Sequence, residues 1–131
     1  MPIDRGNGAR QLVTPLADPA AAVVCLTGDG GMQFSLAEIG SARDAGAKVI
    51  FLVWNNDGYE EIRNYMIENE IEPIGVTPSA PDFIKIADAF SVPAVRLDSI
   101  AQLPEALLAA AETEGPFLIE IHQTKTRGAT A

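Results

Sequence analysis

Asp29 and the glycines around it, in Thr27-Gly28-Asp29-Gly30-Gly31, combine a carboxylate with backbone able to approach a ligand closely. The stretch follows the apolar run at 21–26, which reads as a buried strand entering a tight loop whose glycines turn at positive φ. Ser35-Leu36-Ala37-Glu38 then has the spacing of a capping box and opens a helix. A strand, a glycine loop and a helix N-terminus in succession make a site for a phosphate. Asp29 stands at the same spot, where its charge repels a bare phosphate. A divalent cation held between the two resolves the conflict, because it reverses the sign of the local field.

The other half of such a site lies one crossover further on. Residues 48–54, Lys-Val-Ile-Phe-Leu-Val-Trp, read as a second buried strand ending in Asn55-Asn56-Asp57-Gly58-Tyr59. Asp29 and Asn56 are 27 residues apart, about one loop, helix and strand. A crossover of that size makes the strands parallel. Both loops then emerge at the carboxyl edge of the sheet, where open α/β sheets bind ligands. Asn56 brings an amide oxygen beside the Asp29 carboxylate, and the Gly58 carbonyl adds a third donor. These are the hard oxygens that Mg²⁺ accepts, alongside waters and phosphate oxygens. Each stretch read singly is also an ordinary turn former. Their occurrence after two buried strands one crossover apart is what joins them.

Gly28-Asp29-Gly30 followed by Asn55-Asn56 resembles the thiamine-diphosphate motif of the 2-oxo acid decarboxylase and acetolactate synthase superfamily. Residues 24–27 before the motif, Met32-Gln33-Phe34 and Glu38-Ile39 after it, and Asp57-Gly58-Tyr59 extend the likeness, which runs from about 21 to 123. The stretch 59–66 leans towards guanidino-oxopentanoate decarboxylase and acetolactate synthase large subunits. The resemblance implies a C-terminal diphosphate-binding domain, with Asp29, Asn56 and the Gly58 carbonyl holding Mg²⁺. Gly28, Gly30, Gly31 and Tyr59 would then contact thiamine diphosphate, the Gly30 and Gly31 amides at its diphosphate. Two departures matter. The segment Arg5-Gly6-Asn7-Gly8-Ala9-Arg10-Gln11 does not look like the helix that touches the cofactor's pyrimidine in the family. A gap-free match also puts Ile62 where some decarboxylases carry a glutamate that assists proton transfer. Glu61, beside it, reads as solvated.

Composition narrows the rest. At 131 residues, 47% hydrophobic and 21% charged, the chain is of single-domain size and globular. A net charge of −9 disfavours nucleic acid, which requires a basic face. The one cysteine, Cys25, lies in an apolar strand and reads as a packing residue. With no signal peptide visible and no apolar run approaching the ~20 residues of a membrane span, a cytoplasmic location is expected. Lone His122 reads as structural.

Further helices are expected from Ser35 to Ala45, stopped by Gly46, and from Tyr59 to about Asn69, with Ile62, Tyr65 and Met66 as a core stripe. Another runs from a capped start at residues 79–82 to about Phe90, and a last one from Pro104 to about Thr113. Residues 70–80 read as a loop, and residues 93–97 and 117–121 as strands three and four, buried like the first two. The fold class is therefore three-layer α/β, a mainly parallel sheet with helices on both faces. Against the resembling family it is shortened at the N-terminus. The expected division is an irregular or disordered segment 1–19, a domain 20–123 and a tail 124–131. The resemblance adds that a pyrimidine-binding domain, usually of a neighbouring subunit, supplies the glutamate that activates the cofactor. The expected function is a thiamine-diphosphate and Mg²⁺-binding part of a 2-oxo acid decarboxylase or synthase, inactive without that domain. It would act as a homo-oligomer or with a partner chain. A subunit of a two-chain decarboxylase and a non-catalytic α/β interaction module are the alternatives.

Overall fold

The structure, a computed structural model, describes residue 18 and residues 20–123. Apolar runs alternate with helix-forming segments and give β1 (Val23–Gly28), α1 (Asp29–Gln33), α2 (Leu36–Asp44), β2 (Val49–Asn55) and α3 (Glu60–Glu68). There follow α4 (Phe83–Ala89), β3 (Ala94–Leu97), a 3-10 turn (Ile100–Gln102), α5 (Leu103–Glu112) and β4 (Phe117–His122). Apart from Asp18, the expected segment 1–19 lies outside the described residues, as does the tail 124–131.

The strands form one parallel sheet in the order β1-β2-β4-β3. The chain lays β3 at the far edge and returns to insert β4 beside β2. All four carboxyl ends therefore share one edge, the geometry that gathers loops at a ligand site. Alternate residues of β2 feed two cores. Val49, Phe51 and Val53 pack with Ile39 and Ala42 of α2 and with Phe83 and Ala87 of α4. Ile50 and Leu52 pack on the other side with Ala110 and, at the margin, Leu103, Ala106 and Leu107 of α5. Helices on both faces of a parallel sheet are the three-layer α/β architecture expected. Cys25 is buried in the first core, as its sequence context implied.

Several expectations are corrected. The four strands are not equally buried: in β1 only Cys25 is fully buried, while Val24 and Leu26 are 46% and 50% exposed. Among the described residues β1 is an edge strand, and the sheet face that carries those two residues extends beyond the reach of α5. The stretch after β1 is not a loop, because Asp29 begins a single helical turn pinned by buried Met32. Positive φ is absent from Gly28, at −78°, and belongs instead to Gly46, Gly58, Gly75 and Gly115. Ser35 precedes α2 but makes no side-chain cap; its carbonyl accepts from Glu38 N instead. The cap of α4 is Asp82, whose side chain accepts from Ile84 N and Lys85 N. The stripe on α3 is not core: no residue of that helix is buried, and Ile62 and Tyr65 are 52% and 63% exposed. Periodicity tells which side of a helix is apolar, not whether the chain supplies the surface that covers it. Among the described residues no helix is long and apolar enough to cross a membrane.

Candidate functional site

Gly28 pairs with Trp54 at the ends of β1 and β2, so the residues that follow each strand stand side by side. Asp29, only 2% exposed, is the first residue of α1. Its Oδ2 accepts the Gly58 N–H at 3.0 Å, and its Oδ1 lies 3.5 Å from the Asn56 N–H. Both carboxylate oxygens thus face the 56–58 turn, Oδ2 in the shorter bond. The inner atom of the Asn56 amide sits 2.7 Å from the Gly58 carbonyl oxygen and 2.9 Å from Asp29 Oδ1.

That amide has two orientations with different meanings. With its NH₂ inward, it donates to both oxygens. With its oxygen inward, Nδ2 reaches Glu60 Oε2 at 3.3 Å, and three acceptor oxygens crowd together with no proton between them. Such an arrangement is repulsive unless a cation joins it. Oxygens bound side by side on an octahedral Mg²⁺ stand roughly 2.9 Å apart, given metal–oxygen bonds of about 2.0–2.1 Å. With the amide oxygen inward, the donor set therefore fits a hard divalent cation. Among the described residues no group of three or more His, Cys, Asp or Glu side chains gathers to hold a metal, so the site rests on a single carboxylate.

The turn that presents these oxygens is tightly specified. Gly58 has φ +141°, and a Cβ there would meet the Val76 carbonyl oxygen at 3.0 Å. Tyr59 N donates to that same carbonyl, so buried Val76 of the 70–80 loop docks on the turn. Asp57 is in the left-handed region at φ 60°, and its Oδ2 meets His122 Nε2 at 3.1 Å. His122 thus contributes to the turn, in keeping with its structural reading.

The residues expected at a diphosphate lie beside the oxygens. Gly30 and Gly31 occupy the first turn of α1, whose leading amides have no partner within the helix. Gly28, its N-cap, has no side chain with which to cap them, although a Cβ there would meet nothing nearer than Trp54 O at 3.9 Å. A Cβ on Gly30 would fall 2.5 Å from Cε1 of Tyr59, so glycine at 30 serves close packing against that ring. Asp29, Asn56, Gly58, Gly28, Gly30, Gly31 and Tyr59 are brought together. Glu61 is exposed, as expected.

Sequence reading missed a second group beneath the turn. Glu120, 1% exposed, accepts from Asn55 Nδ2 at 2.8 Å and from Arg96 Nε at 2.6 Å. Arg96 also reaches Asp82 Oδ1 at 3.0 Å, and its pKa is raised, chiefly by the hydrogen bond to Glu120. Asp82 is held below the usual carboxylate range, first by the Lys85 N–H, with Arg96 and the Ile84 N–H adding to the effect against desolvation. A glutamate in the otherwise apolar Phe117-Leu118-Ile119-Glu120-Ile121, and an arginine in Ala94-Val95-Arg96-Leu97, were the signals available.

Known proteins resemble this chain in sequence and in fold. The family profile described as "Thiamine pyrophosphate enzyme, C-terminal TPP binding domain" matches residues 6–121, reaching further towards the N-terminus than the likeness read from single residues. The chain is 31% identical over 113 residues to a probable 2-ketoarginine decarboxylase of Pseudomonas aeruginosa, covering 86% of this chain and 20% of the relative. It is 29% identical over 106 residues to an acetolactate synthase of Bacillus subtilis, covering 81% and 19%. The fold matches a thiamine diphosphate-dependent 4-hydroxybenzoylformate decarboxylase of Rhodococcus jostii with a TM-score of 0.77 and 26% identity, over 86% of this chain and 21% of that one. The chain thus spans about a fifth of the length of these relatives. It belongs to the thiamine pyrophosphate enzyme family, as that family's C-terminal cofactor-binding domain.

Proposed function

We propose that these 131 residues bind Mg²⁺ and the diphosphate of thiamine diphosphate, as the C-terminal half-site of a 2-oxo acid decarboxylase or synthase. The observation that carries the reading is the Asn56 amide, whose inner atom lies within hydrogen-bonding range of both Asp29 Oδ1 and the Gly58 carbonyl. Asp29, Asn56 and Gly58 would hold the cation. The uncapped amides of Gly30 and Gly31 would receive phosphate oxygens, with Gly28 leaving their approach open and Tyr59 flanking the cofactor. Thiamine diphosphate, when bound, supplies a carbanion nucleophile and an electron sink for loss of CO₂. This chain's own share is to hold and orient the diphosphate end. The relatives named suggest a 2-oxo acid as substrate, and the activating glutamate belongs to a pyrimidine-binding domain in a neighbouring chain or subunit. The isolated residues are accordingly inactive and act in a homo-oligomer or with a partner chain, in the cytoplasm, without nucleic acid or membrane.

Thermal melts test the binding. Thiamine diphosphate and Mg²⁺ at ~100 times the dissociation constant should add about 2.7 kcal/mol of stability. Asp29→Asn should abolish the shift, read against its own ligand-free melt, which should itself fall because one of two accepting carboxylate oxygens becomes a donor. No shift at millimolar cofactor would favour a non-catalytic module instead. Pyruvate and longer 2-oxo acids should not be turned over by the isolated chain. Robust turnover would contradict the assignment of activation to a second domain.

A further inference from the structure

Glu120 is a carboxylate at the carboxyl end of a central strand, in register between Val53 of β2 and Arg96 of β3. Burial of an ion there costs several kcal/mol unless it is paired and fully hydrogen-bonded. An apolar residue would serve the sheet as well, because buried ion pairs are often replaceable by hydrophobic residues without loss of stability. Stability alone therefore does not account for Glu120. Its bonds point to something else.

Arg96 takes Oε2, and Asn55 takes Oε1. Asn55 is itself 3% exposed, and the commitment of its Nδ2 to Glu120 fixes which way its amide faces. Oδ1 is left pointing at the turn, where it accepts the Asp57 N–H at 3.0 Å. Asp57 is in the left-handed region, which for a non-glycine residue costs of order 1–3 kcal/mol and persists only where neighbours enforce it. The next residue, Gly58, supplies both an N–H to Asp29 and the carbonyl that faces Asn56. A continuous chain of bonds thus runs from Arg96 through Glu120 and Asn55 to the backbone that carries the Asn56 and Gly58 oxygens and holds Asp29 through the Gly58 N–H.

We propose that Asn55 and Glu120 are positioning residues for the Asp29, Asn56 and Gly58 oxygens, and that they set the affinity of this site for a divalent cation. The proposal rests on the function inferred above. Neither residue touches the cation; each acts through the Asp57 amide. Partners of this outer kind tune metal affinity by about 10–100-fold in other sites.

Mn²⁺, which takes the same hard oxygen donors and is visible by electron paramagnetic resonance, is the probe. The full chain is titrated with Mn²⁺ in saturating thiamine diphosphate, and backbone amide spectra are recorded without metal. Asn55→Ala and Glu120→Gln should each weaken Mn²⁺ binding about tenfold or more. Asn55→Ala should also shift the Asp57 and Gly58 amide signals before any metal is added. Asn55→Ser, whose hydroxyl can still accept the Asp57 N–H, should recover part of the loss. Val53→Ala, buried on the same face but outside the chain of bonds, lowers stability and should leave Mn²⁺ affinity within about twofold of wild type. Wild-type affinity in Glu120→Gln and in Asn55→Ala, or losses in these no greater than in Val53→Ala, would overturn the positioning role alone; where the alanine variant does not fold, Glu120→Gln alone decides. No Mn²⁺ binding by the wild-type chain would overturn the functional reading and this inference together.

Discussion

At the residue scale, the site depends on which atoms are left over after the backbone has been satisfied. Asp29 gives Oδ2 to Gly58 and, at longer range, Oδ1 to the Asn56 N–H; the Asn56 amide lies against Oδ1 and the Gly58 carbonyl. Gly58 holds the arrangement because its φ of +141° is hostile to a side chain and because Val76 O would stand 3.0 Å from any Cβ. Gly58→Ala should therefore destabilise the chain by about 1–3 kcal/mol, measured by urea unfolding. The same substitution should weaken cofactor-dependent stabilisation, since Tyr59 and the Gly58 carbonyl must move with the displaced backbone. A destabilisation within experimental error would mean that the turn relaxes freely. The three oxygens were legible in the sequence because strand ends and crossover length alone bring 29 and 56 together. The support beneath them was not. Glu120 and Arg96 lie 24 residues apart, and only the order β4 beside β3 makes them neighbours.

At the scale of elements, alternation of apolar runs with helices revealed the parallel α/β sheet, and local chemistry gave most helix ends. Gly46, at φ +62°, stops α2 as expected, with its N–H on Arg43 O. Strand order was harder, because it is decided by partners distant in sequence, and the Asp82 cap, though local, is joined by one such partner. Pro81 precedes Asp82, and the residue that caps α4 is the one that also faces Arg96 from across the fold. This double role has a pH signature. The folded-state pKa of Asp82 lies below its ordinary value of 3.8, so its ionised form favours folding. That contribution is complete above the ordinary value and is lost as pH falls through the lowered one. Asp82→Asn keeps a capping oxygen but not the charge that meets Arg96. Wild type should melt above Asp82→Asn by a constant margin from neutral pH down to about pH 4. At more acidic pH the margin should shrink towards zero in thermal scans, whereas a margin independent of pH would place the effect in shape rather than charge.

At the scale of the molecule, two apolar surfaces have no cover among the described residues. Val24 and Leu26 share a sheet face with Ile50 and Leu52, yet only the latter pair is packed by α5. On α3, Ile62 and Tyr65 lie open beside the site. Exposed apolar residues in larger patches mark interaction surfaces in general, and the edge of β1, unpaired among the described residues, adds backbone groups able to extend a sheet. Relatives five times longer have far more chain with which to bury the same faces, and the shared fold accounts for only 21% of the Rhodococcus decarboxylase. Association, with itself or with a partner chain, is the corresponding expectation here. Sedimentation velocity over a range of concentrations should reveal self-association of the isolated chain, driven by removal of apolar area from water at about 25 cal/mol per Å². Leu26→Lys puts a charge on the bare sheet face without touching either core and should reduce it markedly, with little change in the thermal melt of the monomer. A Leu26→Lys chain that associates as strongly as wild type would move the contact away from that face. Ile62→Lys then asks the same question of α3, the helix that begins at the proposed cofactor site.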